Sequence, residues 1–308
     1  MLISIVIPVY KSTGTLKELT QRIEEVFLKL SDLDYEIIFV NDSPFWEETK
    51  IVLRELLESP QRIVAVELTK NFGQHAATLC GFEIARGDYV LTMDDDLQHA
   101  PEDIPLLLEH ASHDAVIAKF PDKQHSLFRR VMSRVKSEFE RIILEKPAEI
   151  RLTAFRLLNI SIAKKMLMRR TTYPFIPAML FEVTGDVVNI DVNHYERKHG
   201  RSHYTLSRMI KLFSHLLINN SVLLLRFIGM LGLIIAIVSF SNAILISLRV
   251  VLYGSSIVGW PSTFTAILFF GGMILLTLGI IGEYLFRIVT ASEQRPPFYV
   301  RTVEESQQ

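Results

Sequence analysis

Short blocks of Ile, Val and Leu recur through the first two-thirds of the chain, alternating with stretches in which apolar residues return every three or four positions. The blocks Leu2–Val9, Tyr35–Asn41, Arg62–Leu68, Tyr89–Met93 and Ala115–Lys119 have the length and apolar content of buried strands. Between them Thr15–Leu30, Trp46–Leu57, Gln74–Ala85 and Pro101–His110 read as amphipathic helices. Such alternation predicts an α/β domain with a mainly parallel sheet. In that architecture ligands bind at the carboxyl ends of the strands.

The pattern then changes. No charge occurs from Phe227 to Leu248, or again from Val250 to Gly282. Each run supplies the roughly 20 apolar residues that a helix needs to cross about 30 Å of hydrocarbon. The spans are placed at Leu224–Leu248 and Ser262–Leu285, joined by a turn-rich connector, Tyr253–Pro261. A buried hairpin in a soluble core fits less well, because soluble helices of this length carry a polar stripe. Just before the first span, His203–Val222 mixes basic and apolar positions at helical spacing and reads as an interfacial amphipathic helix. The expected organisation is an α/β domain over 1–202, the interfacial helix over 203–223, a two-helix hairpin over 224–288 and a tail over 289–308. The tail segment Pro296–Val300 reads as solvated or as a short strand docked on a neighbour.

Composition agrees with this division. A mean hydropathy of +0.27 at 22% charged residues averages a charged domain with a nearly uncharged anchor. The net charge of −1 argues against a nucleic-acid partner. The lone cysteine, Cys80, rules out an internal disulfide framework and multi-cysteine metal sites. Basic residues flank both spans, with Arg197, Lys198, Arg201, Arg208, Lys211 and Arg226 before the first and Arg287, Arg295 and Arg301 after the second. The connector has none, so the positive-inside rule places the α/β domain and both termini in the cytoplasm. Met1–Val9 is too short and lacks the basic leader of a signal peptide.

Two predicted strands end in carboxylates, at Val40-Asn41-Asp42-Ser43 and at Met93-Asp94-Asp95-Asp96-Leu97-Gln98. A single Asp after a strand is commonly a turn or helix cap. Three in succession repel one another and need solvent or a cation, which implies either a solvated turn or a divalent-metal site. Asp94 and Asp96 fall on the same side of an extended segment.

The ordered series Val6-Ile7-Pro8-Val9-Tyr10, Asn41-Asp42-Ser43, Asn71-Phe72-Gly73-Gln74-His75, Gly87-Asp88 and Asp94-Asp95-Asp96-Leu97-Gln98 with Pro101-Glu102 resembles the family 2 glycosyltransferases of the GT-A fold. Phe128-Arg129-Arg130 with Ser133-Arg134, Phe175-Ile176-Pro177, Glu196-Arg197 with Gly200 and Ser202, and Gly282-Glu283-Tyr284 extend the likeness through both spans. They are most similar to the polyprenyl-phosphate glycosyltransferases, a group that includes dolichol-phosphate mannose synthase, bactoprenol glucosyltransferases and undecaprenyl-phosphate aminoarabinose-type transferases.

The resemblance implies inverting transfer of a sugar from a nucleotide sugar, UDP favoured over GDP, to a polyprenyl phosphate such as undecaprenyl phosphate. It implies that Pro8, Tyr10 and Asp42 line the base and ribose pocket. Asp94, Asp96 and Gln98 would hold Mg²⁺ or Mn²⁺ and the diphosphate. Arg129 and Arg134 would meet the lipid phosphate, while Arg197 and Ser202 would belong to a loop that closes over the phosphates. Relatives imply a homotetramer. On the residues alone, Arg129 and Arg134 also fit a solvated basic face, and Arg197 a juxtamembrane charge.

The chain departs from the family in two places. Lys11-Ser12 follow Tyr10 where relatives carry Asn-Glu. Relatives also place an acidic residue, proposed as catalytic base, before Phe-Arg-Leu, whereas Leu152-Thr153-Ala154 precede Phe155 here and no carboxylate lies between Glu149 and Glu182. A phosphate monoester acceptor, with a second pKa near 6, is already its own nucleophile at neutral pH. Asp95 stands as the reserve candidate for a base. The missing acid also admits a non-catalytic, nucleotide-sugar-binding scaffold. A processive synthase would need a Gln-x-x-Arg-Trp motif and more channel-forming helices, which this sequence lacks, and a transporter would need ionisable groups inside the spans.

Overall fold

The structure is a computed structural model that describes residues 1–30, 32–120, 147, 149–169, 171, 174–192, 223–254, 260–292 and 296–306. The chain divides into two compact units, one of residues 1–203 with 294–308 and one of residues 204–293.

The first unit is built on strands β1 (Leu2–Val9), β2 (Asp34–Asn41), β3 (Ile63–Leu68), β4 (Tyr89–Thr92), β5 (Ala115–Lys119), β6 (Arg156–Asn159), β7 (Val187–Asp191) and β8 (Val300–Glu305). They form one sheet in the order β7-β5-β6-β4-β1-β2-β3-β8. Strands β1, β2, β3 and β4 run parallel, and β5 runs parallel to β7. The short β6 lies antiparallel between β4 and β5, and β8 is an antiparallel edge. The sheet is therefore mixed, with a parallel centre.

Helices α1 (Leu16–Phe27), α2 (Glu47–Leu57) and α3 (Gln74–Ile84) connect the central strands. A 3₁₀ turn, Pro101–Asp103, leads into α4 (Ile104–Leu108), and α5 (Ile160–Leu167) and α6 (Ile176–Val183) follow β6. Period-2 alternation splits the core between the two faces of the sheet. Ile5, Ile7, Phe39, Leu91 and Phe155 pack with Leu16, Leu19 and Ile23 of α1 on one face. Val6, Ile38, Val66, Val90, Ile117 and Leu158 pack with Ala77, Cys80 and Phe82 of α3 on the other. Cys80 is buried and unbonded. Helix α3 lies so close to β1 that a Cβ on Gly81 would fall 2.1 Å from Val6 Cγ1. That contact fixes the start of α3 over the carboxyl end of β1.

The tail joins this unit. Strand β8 pairs with β3 of its own chain, Thr69 N–H donates to the Tyr299 carbonyl at 2.9 Å, and Phe298 is buried in the α3-side core. Arg86 pairs with Glu305, and Arg301 reaches Glu67 at 2.9 Å.

The second unit is a helical pair, α7 (Leu223–Tyr253) and α8 (Trp260–Ser292). The helices meet where Gly232 faces the backbone of Leu275 and Leu276; a Cβ there would fall 2.8 Å from Leu276 N. Phe240 and Phe269 pack at 6.2 Å between ring centres. Elsewhere the pair exposes apolar side chains such as Ile237, Leu245, Ile267, Phe270 and Ile274. Polar groups are satisfied within the helices, Asn242 Nδ2 donating to the Val238 carbonyl and Thr277 Oγ1 to the Met273 carbonyl. Among the described residues, Ala266–Phe286 is the stretch long and apolar enough to cross a membrane; Met230–Asn242 in α7 is a shorter apolar stretch.

Candidate active site

The carboxyl ends of β1, β2 and β4 converge with the start of α3. Two non-glycine residues among those described have positive φ, and both lie here: Lys11 at 57°, just after β1, and Leu97 at 61°, inside the acidic turn. Such conformations cost free energy and persist where the surroundings enforce them.

Pro8 lies at the end of β1 beside Val40, and Tyr10 just beyond it is 54% exposed. Lys11 Nζ stands 5.4 Å from the Tyr10 ring centre and 4.8 Å from that of Trp46, giving an aromatic and cationic rim. Asn41 Oδ1 accepts from Ser43 N–H at 2.9 Å and from its hydroxyl at 2.8 Å, shaping the turn after β2. Ser43 Oγ accepts in turn from Lys11 N–H at 3.0 Å. Asp42 is buried, and its two carboxylate oxygens accept the N–H groups of Phe72 and Gly73 at 2.7 and 2.8 Å. Burial raises its pKa, and the two backbone donors oppose the rise. Gly73, with φ 93° and ψ 159°, occupies backbone space closed to other residues and turns the chain into α3.

The three aspartates after β4 bond to different parts of the site. Asp94 Oδ1 accepts from Gln74 Nε2, the first side chain of α3, at 2.6 Å. Asp96 Oδ1 accepts from Gln98 N–H at 3.1 Å, closing an Asx turn around Leu97. Asp95 turns back to the β1 loop, where the Ser12 hydroxyl and Tyr10 N–H donate to it. Burial pushes its carboxyl up to about 6; the Ser12 bond opposes the rise, and the flanking Asp94 and Asp96 charges add to it. Buried His99 accepts the Asp94 N–H on Nδ1 at 3.0 Å, so its ring proton lies on Nε2. The ring stacks on Phe155 and Phe120 at 5.3 and 5.6 Å.

Among the described residues no group of three or more His, Cys, Asp or Glu side chains forms a closed metal cage. Asp94 and Asp96 offer hard oxygens at one turn. That donor set fits a magnesium-type ion, which is held by one or two carboxylates and completes its shell with water and phosphate oxygens.

Residues that the sequence left without a role complete the floor. His75 meets Phe175 edge-on at 4.9 Å, and its pKa is lowered to about 3 by desolvation first and the Arg156 charge second. Arg156 opens β6 opposite Thr92 and is only 6% exposed. A charged residue directly ahead of the apolar pair Leu157-Leu158 in a four-residue strand was the available signal. At the position where relatives carry the acid, the carbonyl of Ala154 accepts from Thr92 Oγ1 at 2.6 Å. Arg129, Arg134, Arg197, Ser202 and the interfacial helix expected over 203–223 lie outside the described residues.

Strand ends bearing carboxylates meet a glycine-led helix start at this edge of the sheet, and sequence comparison identifies the family. Residues 4–171 match the glycosyl transferase family 2 domain, and the chain belongs to that family. It is 32% identical over 99% of its length to undecaprenyl-phosphate 4-deoxy-4-formamido-L-arabinose transferase of Aeromonas hydrophila, covering 94% of that protein. The same-named transferase of Pseudomonas aeruginosa is 32% identical over 98% of this chain and 90% of its own. Glucosyl-3-phosphoglycerate synthase from Mycobacterium tuberculosis, crystallised with Mn²⁺, UDP and glucosyl-3-phosphoglycerate, shares the fold: TM-score 0.50, 14% identity, 70% of this chain and 77% of that one covered. The protein is a glycosyltransferase.

Proposed function

We propose that this glycosyltransferase moves a sugar from a nucleotide diphosphate sugar, with UDP the favoured nucleotide, to undecaprenyl phosphate or a similar polyprenyl phosphate, with inversion at the anomeric carbon. The observation that carries the reading is the whole-chain match. The named relatives align through the α/β unit and through the apolar helices alike.

The chemistry follows from the acceptor. A phosphate monoester is largely dianionic at pH 7, so its own oxygen attacks the anomeric carbon and no side chain need remove a proton. As that C–O bond forms, the bond to the donor's diphosphate breaks, and the nucleoside diphosphate leaves with the electron pair. Ala154 in place of an acid is consistent with this route. Pro8, Tyr10 and Asp42 border the base and ribose pocket, and Asp94, Asp96 and Gln98 form the diphosphate end. There they would hold Mg²⁺ or Mn²⁺, which when bound neutralises charge on the departing diphosphate. Asp95, tied to Ser12 and Tyr10, holds the β1 loop against the acidic turn. Arg129, Arg134, Arg197 and Ser202 are the proposed contacts to the phosphates, since guanidinium groups give forked bonds to phosphate oxygens.

The apolar surface of α7 and α8 supports two spans, with the catalytic unit and both termini on the cytoplasmic side. A homotetramer is the proposed assembly. The test is transfer of radiolabel into the lipid fraction by full-length, detergent-purified protein supplied with Mn²⁺ or Mg²⁺, undecaprenyl phosphate and a panel of UDP- and GDP-sugars. A lipid-linked sugar from one UDP-sugar is expected. Label appearing only from a GDP-sugar overturns the nucleotide assignment, and label from none overturns the reading.

A further inference from the structure

The floor of the site holds a buried cation, Arg156, which feels the Asp94 charge but forms no salt bridge among the described residues. Arg156 pairs in register with Thr92 of β4 and Ile117 of β5. Alternation along β6 puts it on the same sheet face as Leu158, which packs with Val90, Ile117 and the α3 side chains. Asp94 lies two residues beyond Thr92 and is bonded to Gln74 at the start of α3, with His75 next along that helix. The guanidinium therefore lies beneath the junction of acidic turn and helix start. Its side chain is only 6% exposed, and Nε has no hydrogen-bond partner.

An isolated buried ion costs several kcal/mol of desolvation even after relaxation and water penetration. Burial lowers the Arg156 pKa to about 10 while the Asp94 charge opposes the fall, so the group is still a cation at neutral pH. His75 beside it is held neutral and offers it no charge compensation. Guanidinium geometry suits forked bonds to phosphate oxygens.

We infer that Arg156 binds a phosphate group that enters the site beside Asp94, supplying the forked bonds that the guanidinium does not make among the described residues. Phosphate can arrive there as the distal phosphate of the donor's diphosphate or as the head of the lipid acceptor. The placement rests on the transferase reading, but the anion-binding claim can be tested apart from it.

The experiment uses full-length wild type, Arg156→Met and Arg156→Lys in detergent with Mn²⁺, titrated calorimetrically with inorganic pyrophosphate and, separately, inorganic phosphate. Ligand-free melting temperatures are recorded alongside. Wild type is expected to bind at least one anion. Arg156→Met should weaken that binding tenfold or more without lowering the ligand-free melting temperature, because an apolar replacement removes an unpaired buried charge. Arg156→Lys, which keeps charge but loses the fork, should fall between them. Loss confined to pyrophosphate assigns the donor side, and loss confined to phosphate assigns the acceptor side. Unchanged affinity in both variants, no binding by wild type, or a lower ligand-free melting temperature with full affinity in Arg156→Lys overturns the proposal. Failure of both UDP and GDP to compete with bound pyrophosphate would count against the transferase reading and leave the Arg156 result standing.

Discussion

At the amino ends of the central strands, Glu36 of β2 is fully buried; its Oε1 accepts the Ser4 hydroxyl at 2.6 Å and Arg86 N–H at 2.9 Å. Ser4 Oγ in turn accepts Gly87 N–H at 2.8 Å, and the cationic Arg86 and Lys164 both feel the Glu36 charge. At the carboxyl ends of the same strands the charges are more numerous. Three aspartates follow one another, Asp95 Oδ2 is buried without a partner, and the buried Arg156 has an idle Nε. At the amino ends the cationic Arg86 and Lys164 offset the Glu36 charge, although its Oε2 is also buried without a hydrogen-bond partner, whereas at the carboxyl ends buried groups of both signs stand together at the strand termini. The two ends differ in their place on the sheet and in the charges gathered there, not in burial, since ligands of an α/β sheet bind at the carboxyl ends of its strands.

Substitutions at the two ends should separate activity from stability. The largest effect is expected from Asp96→Ala, which removes a hard oxygen from the diphosphate end. Transfer to the lipid should fall by about three orders of magnitude or more, roughly 4 kcal/mol of barrier, with the melting temperature close to wild type. At the opposite end Glu36→Ala strands the Ser4 hydroxyl and Arg86 N–H. Chemical denaturation should register a loss of about 2–4 kcal/mol, with nucleotide affinity unchanged in the folded fraction. A Glu36 variant that loses activity while keeping stability would erase the contrast.

His75 gives the next effect. Its folded pKa, about 3, lies below the ordinary 6.5, so its contribution to stability is complete above pH 6.5 and is lost as pH falls toward 3. Between pH 6.5 and 5 the slope should approach, as an upper limit, about 1.4 kcal/mol per pH unit, since the ring keeps partial solvent access. His75→Phe should flatten that limb of the stability profile. The smallest effect is expected from Arg301→Ala, which removes an exposed bond to Glu67 and a contact 5.4 Å from the Phe45 ring centre. About 0.5 kcal/mol is expected, decreasing further in high salt.

Much of this was legible in the chain. The five strands read from their apolar runs are β1 to β5, and the acidic turn falls at the carboxyl end of β4, as the α/β pattern requires. Three other strands left weaker signals. Strand β6 has four residues and begins with Arg156, while β8, Val-Arg-Thr-Val-Glu-Glu, is exposed and charged along its length. Its pairing with β3 joins residues more than two hundred positions apart, as between Ile63 N–H and Ser306 Oγ at 3.1 Å, a contact no local pattern encodes. The turn that the positive φ of Leu97 makes after Asp96 has no signature in the spacing of the aspartates. The pinning of Asp95 to Ser12, and of Phe72 and Gly73 to Asp42, depends on loops brought together by the sheet. Gly232 in α7 packs closely on the backbone of α8, whereas Gly271 meets nothing within 4 Å.

The central claim is that the acceptor's own phosphate is the nucleophile in a site with no acid before Phe155. It is tested most directly by comparing undecaprenyl phosphate with undecaprenol under the same donor and metal. Transfer should occur to the phosphate alone, at a rate that levels off above about pH 6 as its second proton leaves. Comparable transfer to the free alcohol would require a side-chain base and would contradict the account.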